Sequence, residues 1–153
     1  MWAHYAESHS GFLLEFDSES SFFKQQLSPE DKLRKLRKVH YSSKRPSLTF
    51  QEANRLTDFL TKSREWSYER EWRMIRPLQE ATVTIKAGHE AIHLFSFPPN
   101  AIRSITFGAR VDASKTLELR RILAESNDYR HVVCLQARLS DRHYALTRVI
   151  ADA

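Results

Sequence analysis

The stretch WSYEREWR, residues 66–73, places two tryptophans, a tyrosine, two glutamates and two arginines within eight positions. In an extended strand, successive side chains point to opposite faces of the backbone. One face then carries the polar side chains of Glu69, Glu71 and Arg73. The other face is aromatic and apolar and includes Trp72. We therefore expect a strand whose aromatic face is buried, with Trp72 in the core, and whose carboxylate face meets solvent or a polar ligand.

Two interpretations of this polar row are open. A carboxylate pair that anchored aromatic rings hold on a rigid strand is a common way to build a site for chemistry on a polar substrate. An ordinary exposed strand face with ion pairs between neighbouring side chains has the same pattern, and structural ion pairs outnumber catalytic ones. If the row is a site, we expect it to open onto a concave polar surface.

Hydrophobic periodicity along the chain predicts strands and helices in mixed order. The predicted strands cover residues 11–17, 39–41, 71–77, 82–86, 92–97, 102–108, 132–139 and 144–150. Helices are predicted from a cap at Ser28, from a capping box at residues 49–52 to about Lys62, and from Asp112 or Ser114 to about Glu125. This order predicts an α+β fold, with a mainly antiparallel sheet and two or three packed helices.

Length and composition describe one domain. A chain of 153 residues is large enough to bury a core, and we expect residues 1–153 to form a single domain. No segment approaches the length of a membrane-spanning helix, and the N-terminus lacks the pattern of a secretory signal. The single cysteine, Cys134, excludes an internal disulfide and lies in an apolar stretch where we expect a buried thiol. These features favour a cytoplasmic protein without a membrane partner.

Positive charge is concentrated in the segment KLRKLRK, residues 32–38. The three-residue spacing of its leucines favours a short amphipathic helix with a basic outer face. Such a face is suited to bind the phosphates of a nucleic acid. A solvated surface has the same composition, however, and the segment contains no aromatic residue to stack on bases. Nucleic-acid binding is therefore an open alternative, and the residues that would carry it are Lys32, Arg34, Lys35, Arg37 and Lys38.

Residues 89–93 read HEAIH and match the zinc-protease pattern His-Glu-x-x-His. That chemistry requires a helix, because helical spacing brings both imidazoles to one metal ion. Gly88 before the motif and the proline pair after it predict an extended segment instead. In a strand, side chains four positions apart are separated by ~13 Å, which no single zinc ion bridges. We therefore expect no metal site here.

Several stretches of the chain together resemble a known family. They are Trp2-Ala-His-Tyr-Ala with the following Gly11-Phe12, Val39-His-Tyr41, Lys62, the WSYEREWR stretch and Ala101-Ile-Arg-Ser-Ile-Thr-Phe-Gly108. In this order they resemble an uncharacterised bacterial family catalogued as domain of unknown function 2971. The resemblance covers most of the chain, and its Glu-x-Glu-Trp-Arg element is fairly specific.

The resemblance also exposes a departure at the N-terminus. Members of the family typically begin with a further segment that carries a Tyr-x-Tyr or Tyr-His-Tyr strand and a short helix. Here Met1 directly precedes the Trp-x-His-Tyr motif. The resemblance therefore implies a domain that lacks its family-typical N-terminal strand and helix, and we expect any activity that needs this strand to be weak or absent.

The architecture that the resemblance implies is distantly similar to that of ADP-ribosyltransferases, which use NAD and often carry a Glu-x-Glu strand. By this fold-level analogy, Glu71 is the catalytic carboxylate that faces the charge developing on the ribose, and Glu69 orients the acceptor. His4 and Tyr5 line the nicotinamide–ribose pocket, and Arg73 is a further cofactor-binding residue. The alternatives are a non-catalytic interaction or defence-associated module and a basic nucleic-acid-binding protein.

Overall fold

The computed structural model describes residues 2–46 and 56–151, and these residues have mixed α and β content. The α-helices among them are α1 (Trp2–Tyr5), α2 (Leu56–Phe59) and α3 (Ala113–Glu125). The strands are β1 (Phe12–Phe16), β2 (Arg37–Lys38), β3 (His40–Ser42), β4 (Thr61–Ser63), β5 (Trp72–Arg73), β6 (Val83–Ala87), β7 (Glu90–Leu94), β8 (Ile102–Phe107), β9 (Val133–Leu139) and β10 (Leu146–Ile150). Short 3-10 helices span Ser21–Phe23, Arg64–Glu69, Leu78–Glu80, Pro99–Ala101 and Asn127–Tyr129. The α+β class and the mainly antiparallel pairing are confirmed.

The chain divides into two compact units. The first unit comprises Met1–Ser20 and Phe97–Ala153, and the second comprises Ser21–Ser96. Each unit has its own strand pairings within the described residues. The expectation of one domain over residues 1–153 stays a prediction.

The first unit is built on a four-stranded sheet in the order β1-β8-β9-β10. β1 pairs with β8 antiparallel, β8 pairs with β9 parallel, and β9 pairs with β10 antiparallel. A parallel pair needs a long crossover connection, and the segment that contains α3 provides it between β8 and β9. The strands predicted at 11–17, 102–108, 132–139 and 144–150 are therefore confirmed.

β8 forms the core of the first unit. The side chains of Ile102, Ile105 and Phe107 are buried, and Phe107 has no exposed surface. Phe107 is the register partner of Phe12 on β1, and the guanidinium of Arg120 on α3 lies 5.8 Å from the centre of the Phe107 ring. The prediction that Phe107 is a core residue is confirmed, because β8 has a strand on each side and a helix over its aromatic ring.

α3 begins at a side-chain cap. The Asp112 carboxylate accepts a hydrogen bond of 2.7 Å from the backbone N–H of Ser114, which satisfies one of the N–H groups that the first turn leaves without a partner. The Ser114 hydroxyl also donates to this carboxylate, and these bonds hold the pKa of Asp112 below its ordinary value. The helix predicted from this position to Glu125 is confirmed.

A close backbone contact fixes the turn that leads into β1. Glu7, Ser8 and His9 have φ angles of 46°, 54° and 76°, in the left-handed region. The N–H of Gly108 donates to the carbonyl of Gly11 at 2.9 Å. A Cβ at position 108 would lie 2.7 Å from that oxygen and would also collide with the carbonyl of His9. Only glycine fits at this approach of two backbones.

The second unit contains three two-stranded pairings among its described residues. β2 pairs with β5 antiparallel, β3 with β4 parallel, and β6 with β7 antiparallel. In the parallel pair, Tyr41 lies opposite Lys62, and Ser42 lies opposite Ser63. This parallel pair positions the candidate site.

The helix predicted from Ser28 through the basic segment is wrong. Irregular backbone and β2 occupy this part of the chain. The Asp31 carboxylate accepts hydrogen bonds from the N–H groups of Leu27 at 3.1 Å and Leu33 at 2.9 Å. These bonds also hold the pKa of Asp31 below its ordinary value. A side chain that binds nearby backbone in this way competes with the helical hydrogen-bond pattern and folds the segment as a turn.

The strand predicted over residues 71–77 is much shorter, and Trp72 is not a core residue. Of this range, Trp72–Arg73 forms strand β5; before it, Arg64–Glu69 forms a 3-10 helix and Arg70 adopts a left-handed φ of 50°. The Trp72 side chain is 56% exposed, which contradicts the prediction that it is buried. β5 pairs only with β2 among the described strands, so no wider sheet covers the ring.

The remaining sequence predictions have mixed outcomes. The strands at 39–41 and 82–86 are observed as β3 and β6, and the strand predicted at 92–97 begins and ends earlier, as β7. The capping box at residues 49–52 lies outside the described residues, whereas the last turn of that helix is described as α2. None of the helices in residues 2–46 and 56–151 is long and apolar enough to cross a membrane.

Candidate functional site

Lys62 holds the two carboxylates of the WSYEREWR stretch together. Its ammonium donates to Glu69 Oε2 and to Glu71 Oε2, the second at 3.1 Å. Arg73 binds Glu71 through Nε, and its Nη2 lies 3.1 Å from Glu71 Oε2. The structure therefore brings three predicted site residues, Glu69, Glu71 and Arg73, together around Lys62, which was not among the predicted site residues.

A turn, and not a continuous strand, produces this arrangement. Glu69 is the last residue of the 3-10 helix Arg64–Glu69, Arg70 follows in the left-handed conformation, and Glu71 directly precedes β5. The two carboxylates converge on one ammonium, although the extended strand on which a shared face was predicted is not formed. The Lys62 ammonium also lies 5.0 Å from the centre of the Trp66 ring, within reach of a cation–π contact.

Tyr41 anchors the main chain of the cluster. The backbone N–H of Glu71 donates to the Tyr41 hydroxyl oxygen at 2.8 Å. Tyr41 and Lys62 are register partners in the parallel pair β3–β4, and register partners project to the same face of a sheet. One face of this pair therefore binds both the backbone and the carboxylate of Glu71.

The Glu71 carboxylate is ionised at neutral pH. Hydrogen bonds from Arg73 and then from Lys62 hold the pKa of Glu71 below its ordinary value, against the opposing effect of partial burial. The contact with Glu71 raises the pKa of Arg73, and the hydrogen bond to Glu69 is the largest cause of the raised pKa of Lys62. A carboxylate held in the charged form can accept hydrogen bonds and stabilise a positive charge, but it is a poor general acid.

The two carboxylates differ in access. The Glu69 side chain is 5% exposed, whereas the Glu71 side chain is 27% exposed. A ligand can therefore contact Glu71, whereas Glu69 is covered and contacts the ammonium of Lys62. Arg73 is held at a second point as well, because its Nη1 donates to the carbonyl of Phe59 at 2.6 Å.

Sequence spacing missed Lys62 and Tyr41 as site residues. Both belong to the stretches that carry the family resemblance, so a signal for them was present. What a single sequence does not reveal is the parallel pairing of β3 with β4, which places these two side chains beside each other.

A polar cavity of about 540 Å³ lies at the carboxyl ends of β3 and β4. Residues 42–46 and 61–63 line it together with Glu65. Lys62 belongs to this wall and also to the carboxylate cluster. The predicted row itself does not line the cavity, so Lys62 is the link between the row and a concave polar surface.

His4 and Tyr5 belong to the first unit, on α1. Their rings meet edge to face, with centres 6.4 Å apart. Tyr5 lines a separate cavity of about 530 Å³, formed by residues 5–7 and 10–12 together with α3. The structure thus assigns these two predicted cofactor-binding residues to a different unit from Glu69 and Glu71, and their part in NAD binding stays a prediction.

The basic segment is partly neutralised. Arg34 lies 2.8 Å from a carboxylate oxygen of Asp31 and also binds Glu80. Both contacts raise the pKa of Arg34, with Glu80 the larger cause. Three lysines of the segment, Lys32, Lys35 and Lys38, are exposed. Nucleic-acid binding through this segment stays a prediction.

The HEAIH segment is extended, as expected, and not helical. It follows a turn at Gly88 with φ 64° and lies largely in β7. Across the hairpin, Nδ1 of His93 lies 3.1 Å from the hydroxyl of Thr84. In the part of the chain that the structure describes, no group of three or more His, Cys, Asp or Glu side chains is arranged to hold a metal ion.

These features define an α+β protein with an ion-paired carboxylate cluster in its second unit. The model of a family described as Protein of unknown function (DUF2971) matches residues 1–74, a range that contains Tyr41, Lys62 and the whole WSYEREWR stretch. The chain is therefore similar to the DUF2971 family over this range, which is slightly less than half of its 153 residues. No curated protein and no solved structure matches the chain, so no structural neighbour supports the expected similarity to ADP-ribosyltransferases.

Proposed function

We propose that the chain is an ADP-ribosyltransferase-like, NAD-using domain in which Glu71 is the catalytic carboxylate. The observation that supports this function is the binding of Glu71 between two cations, Lys62 and Arg73, at a partly exposed position. Both cations favour the charged form of the carboxylate, and both fix its orientation. A fixed anion of this kind is suited to accept a ribose hydroxyl and to face a developing positive charge.

The proposed reaction breaks the bond between C1′ of the ribose and the nicotinamide nitrogen. The electron pair of that bond leaves with nicotinamide, and the ribose acquires oxocarbenium character. An ionised Glu71 stabilises this state more than it stabilises the bound substrate, and this difference lowers the barrier. Water or a nucleophile of the acceptor then bonds to C1′ and releases its proton to solvent.

Glu69 has a positioning role in this proposal. Its side chain is almost completely covered and binds the Lys62 ammonium, so we assign it to fixing Lys62, which in turn fixes Glu71. This role replaces the expectation that Glu69 orients the acceptor. Its effect on the reaction would pass through the geometry of Lys62.

The test compares NAD binding by calorimetry with nicotinamide release by chromatography. The variants are Glu71→Gln and, as a matched control, Glu90→Gln, since Glu90 is exposed on β7 of the same unit. We expect Glu71→Gln to bind NAD within about threefold of the wild type and to lower kcat by about 10²–10³-fold, because glutamine keeps the size of the side chain but removes its charge. Glu90→Gln should match the wild type. Absence of both NAD binding and nicotinamide release, in this chain and in a version extended upstream by the family-typical N-terminal strand, would refute the proposal, and equal turnover in Glu71→Gln would place the chemistry on another residue.

A non-catalytic interaction module is the second candidate, and an exposed aliphatic surface on β6 and β7 favours it. Val83 pairs with Leu94 and Ile85 with Ile92, so these four side chains share one face of the hairpin. Each of them is 44–51% exposed. Contiguous apolar surfaces of this kind often mark interaction sites.

Sedimentation over a range of concentrations tests the interaction module in its simplest form, association between copies of the chain. We expect Ile92→Lys to weaken association, while Ala91→Lys, on the opposite face of the same strand, leaves it unchanged. A monomer at every concentration, or equal effects of the two variants, would argue against this surface as an interface.

A further inference from the structure

We propose that the cavity at the carboxyl ends of β3 and β4 binds the phosphates of a small phosphorylated molecule, for which the pyrophosphate of a dinucleotide is the best fit. This inference names a subsite of the NAD site proposed above and rests on that proposed function for the identity of the whole ligand. The phosphate chemistry itself rests on the charge, topology and size of the cavity.

The lining has an excess of positive charge. Among the described residues that line it, the cations are Lys44, Arg45 and Lys62, and the carboxylate is that of Glu65. Positive side chains bind phosphate oxygens through charge-assisted hydrogen bonds, which are stronger than neutral ones. Arginine adds a planar fork that matches two phosphate oxygens at once, and lysine adds a point charge. This set of groups favours an anion with more than one phosphate group over a neutral ligand.

The lining also carries hydroxyl groups, contributed by Ser42, Ser43, Thr61 and Ser63. The Ser42 hydroxyl oxygen accepts a hydrogen bond of 3.0 Å from the N–H of Lys44, which turns the chain directly after β3. This turn places the cation segment against the end of β4. Hydroxyls next to cations are the usual partners of phosphate and ribose oxygens.

The position of the cavity agrees with a general property of parallel strands. β3 and β4 run parallel, in register from His40 and Thr61 to Ser42 and Ser63, so their carboxyl ends lie side by side. In open α/β sheets, ligands bind outside the carboxyl ends of the strands where the strand order reverses, and the two-stranded pair β3–β4 shares the parallel strand direction with such sheets. The volume of about 540 Å³ also falls in the range of 300–1,000 Å³ that is typical of small-molecule sites.

Lys62 connects this cavity to the catalytic carboxylate of the proposed function. Lys62 is one of the residues that line the cavity, and its ammonium lies 3.1 Å from Glu71 Oε2. A dinucleotide with its pyrophosphate in the cavity would therefore have a ribose within the neighbourhood of Glu71. The cavity thus binds the phosphates of the dinucleotide, and Glu71 acts on its ribose.

The test uses pyrophosphate and calorimetry on the wild-type chain, on the double variant Lys44→Gln with Arg45→Gln, and on the control Lys35→Gln with Lys86→Gln. All four substituted residues are exposed and belong to the second unit, and both double variants remove two positive charges. We expect the cavity variant to raise the Kd of pyrophosphate by at least about tenfold, because two charge-assisted contacts are lost. The control should change it by less than about twofold.

Further measurements distinguish this inference from the proposed function and from nucleic-acid binding. Glu71→Gln should retain pyrophosphate binding even if nicotinamide release is lost, so failure of NAD cleavage with intact, cavity-dependent pyrophosphate binding would refute only the enzyme. Absence of pyrophosphate binding in the wild type, or equal loss in both double variants, would refute the inference. A single-stranded oligonucleotide that binds, while pyrophosphate does not, would refute it in favour of a nucleic-acid surface.

Discussion

The hydroxyl of Tyr41 and the backbone N–H of Glu71 lie 2.8 Å apart, and their hydrogen bond fixes the main chain where the carboxylate cluster meets β5. Tyr41 belongs to β3, whereas Glu71 directly follows the left-handed Arg70. The bond therefore connects the parallel pair to the turn. The geometry of the cluster depends in this way on a residue outside the WSYEREWR stretch.

Tyr41→Phe should destabilise the protein by about 1–3 kcal/mol, because it leaves the Glu71 N–H without its partner at a partly buried position. Chemical denaturation measures the change in the free energy of unfolding. Tyr144→Phe is the control, since Tyr144 is fully exposed, and it should have no measurable effect. Equal effects of the two variants would show that the Tyr41 bond contributes nothing to stability.

The stability of the protein should fall in acid in part through Glu71. Its pKa in the folded protein lies below the ordinary value of 4.5. The ion pairs with Arg73 and Lys62 therefore stabilise the folded state above about pH 4.5, and this contribution is lost as the pH falls through the lower, folded-state pKa. Between pH 5 and pH 3, unfolding experiments should show a smaller loss of stability for Glu71→Gln than for the wild type. If Glu71→Gln lost as much stability between pH 5 and pH 3 as the wild type, Glu71 would not contribute to the acid sensitivity. Glu90→Gln is the matched control, and it should lose as much stability as the wild type.

Phe107→Ala should cost about 3–5 kcal/mol, because it leaves a large cavity around a side chain with no exposed surface. Trp72→Ala removes a larger ring but should cost much less, since more than half of that ring is exposed. Denaturant titrations of the two variants give the comparison directly. A larger loss of stability for Trp72→Ala than for Phe107→Ala would contradict the burial of Phe107 and the exposure of Trp72.

Zinc should bind no more tightly to the wild type than to His89→Ala. The histidines of the HEAIH segment lie at a hairpin turn and in β7, where extended spacing separates them by ~13 Å. Metal analysis after dialysis against zinc checks this expectation. A stoichiometric zinc content in the wild type that the variant lacks would contradict it.

The sequence predicted the first unit better than the second. β8 is a run of apolar and β-branched residues, and the Asp112 cap marks the start of α3, so local signals and the tertiary structure agree there. In the second unit, a single side chain overrides the local signal. Ser28 with a following proline indicates a helix start, but the Asp31 carboxylate binds the backbone and prevents the helix.

Part of the candidate site was predictable in its residues, but its geometry was not. Alternation in WSYEREWR placed Glu69, Glu71 and Arg73 on one face, and they do converge. Alternation also placed Trp72 in the core, which is wrong, because burial depends on how many strands surround β5. The role of Lys62 depends on a parallel pairing between distant segments, and residue spacing carries no information about such pairings.

The position of Lys62 makes two equilibria depend on each other. Its ammonium neutralises Glu69 and Glu71, and Lys62 is also one of the residues that line the cavity. An anion in the cavity that draws this ammonium away would leave Glu71 with Arg73 as its remaining cationic partner among these groups, and its affinity for a proton would rise. Binding would then be accompanied by proton uptake in the acidic range in which Glu71 titrates. By thermodynamic reciprocity, the same acidity would strengthen the binding of the anion.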